Sequence, residues 1–182
     1  MPIIKRGTVV VQHPVDLASM GLQLVDSYAQ THALTYRDQA QAIARRLVST
    51  GRKARGGLYL GYSFDFRLHG RAADLLRAPW YSAMAQGMAL ALFVRLFLAT
   101  GDDAHLANAK LLFASLADPG VRTLPWVSRL DPKGYLWLEE YPAKPPDQTL
   151  NGFQFATFGL YDYDQAVRGA DSAAILDGAL TT

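Results

Sequence analysis

The segment Ala83–Ala99 is apolar at almost every position, interrupted by Gln86 and Arg95, and it limits the fold more than any other stretch. A helix of that composition has no polar face to offer water, so other elements must enclose it on most sides. It is slightly short for a membrane span, and an arginine within a span is costly in lipid. A buried core helix is therefore the reading. The rest of the chain can supply the enclosure: 182 residues suffice for one domain with a core, half are apolar and 19% are charged. A net charge of +2 does not call for nucleic acid, and with no cysteine there are neither disulfides nor thiol chemistry. Met1–Arg6 is short and no apolar h-region follows it. With neither a signal peptide nor a transmembrane segment read, a cytoplasmic location is the default expectation.

Around the apolar segment the periodicity is mainly helical. Val15, Ala18, Leu22, Val25 and Ala29 recur at spacings of three and four, and Ala40, Ile43, Ala44, Leu47 and Val48 form a second such face. Thr35 and Asp38 have the spacing of a capping box at its start, and Gly51 is a natural stop. Val9–Val11 predicts a short strand. Leu58, Leu60, Tyr62, Phe64, Phe66 and Leu68 alternate as in a strand or hairpin. After Thr100-Gly101, Asp102 can cap a helix carrying Ala104, Ala107, Leu111 and Ala114 inward. Pro119–Pro146 is irregular, with a weak strand signal over Tyr135–Tyr141. Asn151 opens an aromatic-rich helix, and Asp171 can cap a last one through Leu180. The expectation is about six helices in consecutive antiparallel pairs, with two β-like insertions.

Three segments carry a resemblance. They are His13–Leu22 (HPVDLASMGL), Pro79–Gly87 with its WYSAMAQG string, and the ordered series EEYP (Glu139–Pro142), LNGF (Leu150–Phe153) and GLYD (Gly159–Asp162). In that order they resemble the carboxy-terminal domain of the D-glucuronyl C5-epimerases, which invert glucuronate to iduronate within a polysaccharide. The resemblance covers most of the chain from His13 onward. It implies a mainly α fold, an incomplete (α/α) toroid of antiparallel helical hairpins with small β-like insertions. It also implies one domain over residues 1–182, truncated at its carboxy end. The family pattern continues with a Tyr-Asp-Leu-Arg-His-like motif and a tyrosine-bearing terminal segment, and neither occurs within the 182 residues. An exposed edge left by absent hairpins would allow self-association, so a homodimer is open.

The implied chemistry is inversion at C5 of a uronate in a heparosan-like polymer. That carbon lies α to a carboxylate, so its proton is a poor acid and the charge developing on the carboxylate must be stabilised. One group removes a proton on one face and another returns one on the opposite face. No metal or organic cofactor is required in principle, and the partner is an acidic polysaccharide. Glu140 and Tyr141 stand where the family's Glu-Tyr pair lies: Glu140 is read as a proton-transfer group, against a solvated loop glutamate. Tyr141 is open between proton transfer and packing on Pro142. The resemblance puts the opposite-face acid on a tyrosine beyond Thr182.

Tyr81, Ser82 and Gln86, at the mouth of the apolar helix, are read as substrate-binding, and Gln86 needs a hydrogen-bond partner if buried. Trp80 or Tyr81 could stack on a sugar face or belong to the core. Asn151 is open between substrate contact and an N-cap. Arg67 and Arg71, flanking His69, suit carboxylate or sulfate by their forked donors, while Arg52, Lys53 and Arg55 read as a solvated turn. The four histidines show no metal-binding spacing, and Gly56-Gly57 lacks the residues of a phosphate loop. Two other readings share these residues: a catalytically incomplete carbohydrate-binding module, and a uronate polysaccharide lyase on the same type of toroid.

Overall fold

A computed structural model describes residues 5–120 and 123–182. Part of the amino-terminal stretch read for a signal peptide, residues 1–4, lies outside the described residues, as do residues 121–122 of the Pro119–Pro146 segment. Among the described residues, six helices form three consecutive antiparallel hairpins: α1 (Pro14–Thr31) with α2 (Leu34–Thr50), α3 (Ala83–Thr100) with α4 (Asp103–Leu116), and α5 (Leu150–Val167) with α6 (Ala170–Leu180). Each hairpin is closed by a two-residue link, short enough to force antiparallel neighbours.

The apolar segment is the centre of the fold. α3 packs against α1, α2, α4 and α5. By length and hydropathy it could cross a membrane, but 67% of it is buried inside the protein. Leu90, Leu92, Phe93 and Leu96 are all but inaccessible, and each such side chain contributes about 1.5–3 kcal/mol by leaving water. Arg95 escapes this enclosure by pairing outward with Asp26 of α1 at 2.9 Å and Asp162 of α5 at 3.1 Å.

The helix ends differ from their expected caps in three places. α2 begins at Leu34 with Ala33 before it, so Thr35 lies inside the helix and no capping box forms. α5 begins at Leu150 after Thr149, so Asn151 is not an N-cap. α6 starts at Ala170, one residue ahead of Asp171, where the Gly169 N–H donates to Ser172 Oγ. Asp102 does cap α4, accepting from the Ala104 N–H at 2.9 Å, and Gly51 ends α2.

Among the described residues, ten short strands form five two-stranded antiparallel ribbons. β1 (Lys5–Arg6) pairs with β2 (Val9–Val10), and β3 (Arg52–Ala54) with β4 (Gly57–Tyr59). The alternating stretch from Leu58 is divided rather than continuous. β5 (Gly61–Tyr62) reaches across to β8 (Trp80–Tyr81), and β6 (Phe66–Arg67) pairs with β7 (Leu75–Leu76). The irregular segment holds a hairpin of β9 (Ser128–Leu130) and β10 (Leu136–Leu138). Two backbone bonds fasten the exit of β10 to the core: Glu139 N–H to Val127 O at 2.8 Å, and Ala83 N–H to Glu139 O at 2.9 Å. The second ties the EEYP segment to the first turn of α3.

Candidate active site

Glu139 and Glu140 leave β10 side by side, and both are buried. Glu139 has no exposure and is neutralised by the similarly buried Arg129, whose Nε donates to Oε1 at 2.7 Å; its Oε2 accepts from the Gln148 N–H at 3.1 Å. Glu140 has no such partner. It retains 7% exposure, and its Oε2 is buried without a hydrogen bond. Loss of solvent raises its pKa above the ordinary carboxylate value. The Tyr141 hydroxyl and the Gly152 N–H oppose that shift without cancelling it. Tyr141 is also pushed up, first by burial and then by its hydrogen bond to Glu140. Both groups thus keep their protons to higher pH than in water; for Glu140 the shift is toward neutrality, where a proton-transfer carboxyl is useful, whereas Tyr141 is held as a neutral hydroxyl.

Glu140 and Tyr141 line a cavity of about 410 Å³ with Asn151 at the start of α5. Its other walls come from elements far away in sequence. His13 and Asp16 enter from the start of α1, Arg6 and Lys5 from β1, and Tyr62, Phe64, Phe66 and Trp80 from the ribbons. Tyr62 stacks on Trp80 at 3.8 Å between ring centres, and Tyr141 stacks on Phe66 at 5.7 Å. The Arg6 guanidinium lies 4.4 Å from the centre of the Phe64 ring. His13 Nδ1 accepts from the Asp16 N–H at 3.3 Å. Burial lowers the His13 pKa, which Asp16 opposes and Arg6 reinforces, so the neutral ring is favoured.

Of the residues singled out from the sequence, Glu140, Tyr141, Asn151 and Trp80 meet in this cavity. Three others do not reach it. Gln86 is wholly buried, and its amide is spent within the protein: Oε1 accepts from Leu60 N–H at 2.8 Å, while Nε2 donates to Leu58 O at 2.6 Å and Ser115 Oγ at 2.5 Å. Tyr81 is 2% exposed, packs edge-on against Tyr59, and faces a separate cavity beyond Tyr62. Ser82 precedes α3, buried and with its hydroxyl unpartnered. From the Tyr81–Gln86 segment, Met84 lines the cavity, and the Ala83 N–H bonds the carbonyl of Glu139 next to Glu140, while Gln86 points elsewhere.

The arginines also fall differently. Arg67 is exposed on β6, and Arg71 pairs with Asp74 at 2.5 Å beside a third cavity containing His69 and Asp147. Arg55 is not simply solvated, since it bonds Asp118 at 2.7 Å and the Pro125 carbonyl. The cations that line the Glu140 cavity are Lys5 and Arg6, which the sequence marks only as part of a short amino-terminal stretch with no h-region after it. The alternation of Tyr62, Phe64 and Phe66 was the available signal for the aromatic wall, because period two puts all three on one face. Among the described residues no group of three or more His, Asp and Glu is placed to hold a metal ion.

The chain is similar to several known proteins. The chain is 38% identical over 95 residues to a D-glucuronyl C5-epimerase of Caenorhabditis elegans, covering 50% of the chain and 14% of that enzyme. It is 30% identical over 112 residues to the uncharacterised protein MJ1128 of Methanocaldococcus jannaschii, covering 61% of the chain and 35% of that protein. The chain thus spans about a seventh and about a third of these relatives. Among solved structures it resembles the GH76 α-mannanase BT2949 of Bacteroides thetaiotaomicron, with a TM-score of 0.62, 14% identity, and 96% of this chain and 44% of that one covered. A family 76 glycoside hydrolase from a bovine Bacteroides thetaiotaomicron strain is similar, at a TM-score of 0.61 and 14% identity, with 92% of this chain and 33% of that one covered. At that identity the likeness speaks for the fold, a mainly α toroid of helical hairpins. Residues 56–182 match the family described as D-glucuronyl C5-epimerase C-terminus, and the chain belongs to that family.

Proposed function

We propose that the cavity binds a uronate unit of an acidic polysaccharide and that Glu140 exchanges the hydrogen at its C5, as part of a glucuronate-to-iduronate epimerase. The observation that carries this reading is a buried carboxyl with an unpartnered oxygen, beside Tyr141, in a cavity that also holds two cations. In its ionised form Glu140 takes the C5 proton. The electron pair moves into the sugar carboxylate, where Arg6 and Lys5 oppose the growing charge. Tyr141 holds the Glu140 carboxyl by its hydrogen bond, and return of a proton to the other face completes inversion. Asn151 serves as a polar contact at the cavity wall.

A second reading has its own motive. Glu140 and Tyr141 are adjacent, whereas inversion needs a proton carrier on each face of the ring, so the chain by itself could bind a uronate polymer without turnover. Deuterium incorporation from heavy water into a glucuronate polymer tests both. The epimerase reading expects exchange at C5 that falls by about a hundredfold or more in Glu140→Gln, the scale of general acid–base catalysis, with polymer binding retained. Exchange unchanged by Glu140→Gln removes Glu140 from the mechanism. Binding without any exchange selects the binding module.

A further inference from the structure

Glu140 owes its placement to a side chain that is missing. Gly152 lies in the first turn of α5, a position where glycine is unfavourable for helix formation. Its backbone gives no reason for glycine, since it is not among the positive-φ residues. The reason is space. A Cβ added at Gly152 would stand 2.3 Å from Glu140 Cβ, 2.3 Å from its Oε2 and 2.7 Å from its Cδ, where non-bonded carbon contacts settle near 3.5–4.0 Å. The main chain that carries Glu140 is fastened in place, so relief would have to come from the glutamate side chain swinging away. Its neighbour Glu139 is held through both carboxylate oxygens, by Arg129 and by the Gln148 N–H, and through its own N–H and carbonyl. The carboxyl of Glu140 is therefore pressed against bare backbone at the amino end of an 18-residue helix, where the Gly152 N–H favours its charged form.

We propose that Gly152 is a positioning residue: its bare Cα, opposite the clamped Glu139, forms the socket that fixes the Glu140 carboxyl at the cavity wall. The proposal rests on the reading of Glu140 as the proton-transfer group. The LNGF and EEYP motifs are then two halves of one device, the second supplying the carboxyl and the first supplying the space it occupies.

The test compares Gly152→Ala in the wild-type and Glu140→Gln backgrounds. In the wild-type background C5 exchange is expected to fall at least about tenfold with polymer affinity within about twofold. In the Glu140→Gln background the same substitution is expected to cause no further fall, because effects acting through one group are not additive. Equal losses in both backgrounds would assign Gly152 a general structural role and overturn the proposal. A readout independent of activity is titration of the Glu140 carboxyl by carbon NMR in labelled protein. Expulsion from the socket returns its midpoint toward the ordinary carboxylate value in Gly152→Ala, and an unmoved midpoint also overturns the proposal. If the wild type shows no exchange, the epimerase reading fails, and the titration still decides the socket. If Gly152→Ala does not fold, the Gly152→Ala/Glu140→Gly double variant is expected to fold with near wild-type thermal stability, because the space is exchanged between the two positions. A double variant that stays unfolded overturns the proposal as well.

Discussion

Neighbouring glutamates on one strand exit meet opposite fates because of what faces them. Glu139 meets Arg129 and behaves as structure, whereas Glu140 meets a helix end, a tyrosine and a cavity. The cost of leaving a buried carboxyl without a full partner appears as pH dependence. In the unfolded chain Glu140 titrates at its ordinary value of 4.5, and in the folded chain it holds its proton to higher pH. Between those two values the folded state binds more protons than the unfolded state, so stability falls as pH rises through the window. Glu140→Gln has no proton to lose. Its melting temperature is therefore expected to gain on the wild type as pH rises from about 4.5, and the difference to level off once native Glu140 is ionised. Thermal melts of both proteins across that range check this, and a difference that does not vary with pH would place Glu140 in an ordinary solvated environment.

At the scale of elements, the glycines of the motifs explain how α3 and α5 meet. A Cβ at Gly87 would lie 2.4 Å from Ala156 Cα, and one at Gly159 would lie 2.1 Å from the Gly87 carbonyl oxygen. The two helices cross backbone to backbone, which brings the start of α5, and with it Gly152 and Asn151, beside the start of α3. Because the obstructing atoms are main chain, no rotamer change can relieve the overlap. Gly159→Ala is expected to destabilise the fold by at least about 2 kcal/mol, within or above the usual range for overpacking. Gly87→Ala should cost a similar amount, and the double variant should cost less than the sum, since both fill one gap. Urea unfolding of the three variants measures this, and a Gly159→Ala chain as stable as wild type would contradict the crossing. The WYSAMAQG and GLYD strings are therefore in large part statements about helix packing. Gln86 belongs to the same account, because its amide joins α3 to β4 and α4 rather than reaching a ligand.

For the whole molecule, the apolar surface is unevenly distributed. Phe155, Phe158 and Tyr161 recur at every third position on the outer face of α5 and are 41%, 61% and 53% exposed. Contiguous aromatic surface of this kind promotes association. The chain is expected to show a weight-average mass that rises with concentration in sedimentation equilibrium, and Phe158→Glu is expected to hold it at the monomer value. A wild-type mass independent of concentration removes the homodimer from consideration. Phe158→Glu itself should change stability by no more than about 0.5 kcal/mol, because that side chain packs little within the fold.

Residue order by itself determined the helical hairpins and the burial of α3. Periodicity of 3.6 and the absence of any polar face are local properties that survive whatever packs around them. It also determined the family, through motifs spread over most of the chain. Helix starts were less legible, as at Thr35 and Asp171, because the residues that precede these helices, Ala33 and Gly169, carry no capping side chain to mark the start. Only the tertiary structure decided which polar residues share a site. Gln86 reads like a ligand contact until the carbonyl, N–H and hydroxyl that use its amide are seen, and Arg67 and Arg71 read like a uronate clamp until Arg6 and Lys5, and not they, are seen lining the Glu140 cavity. No local rule links Arg6 to Glu140, or Gly152 to the room that Glu140 needs. Those relations arise where β1, the strand exit after β10 and the start of α5 converge, and convergence is a property of packing between distant segments, which spacing along the chain does not encode.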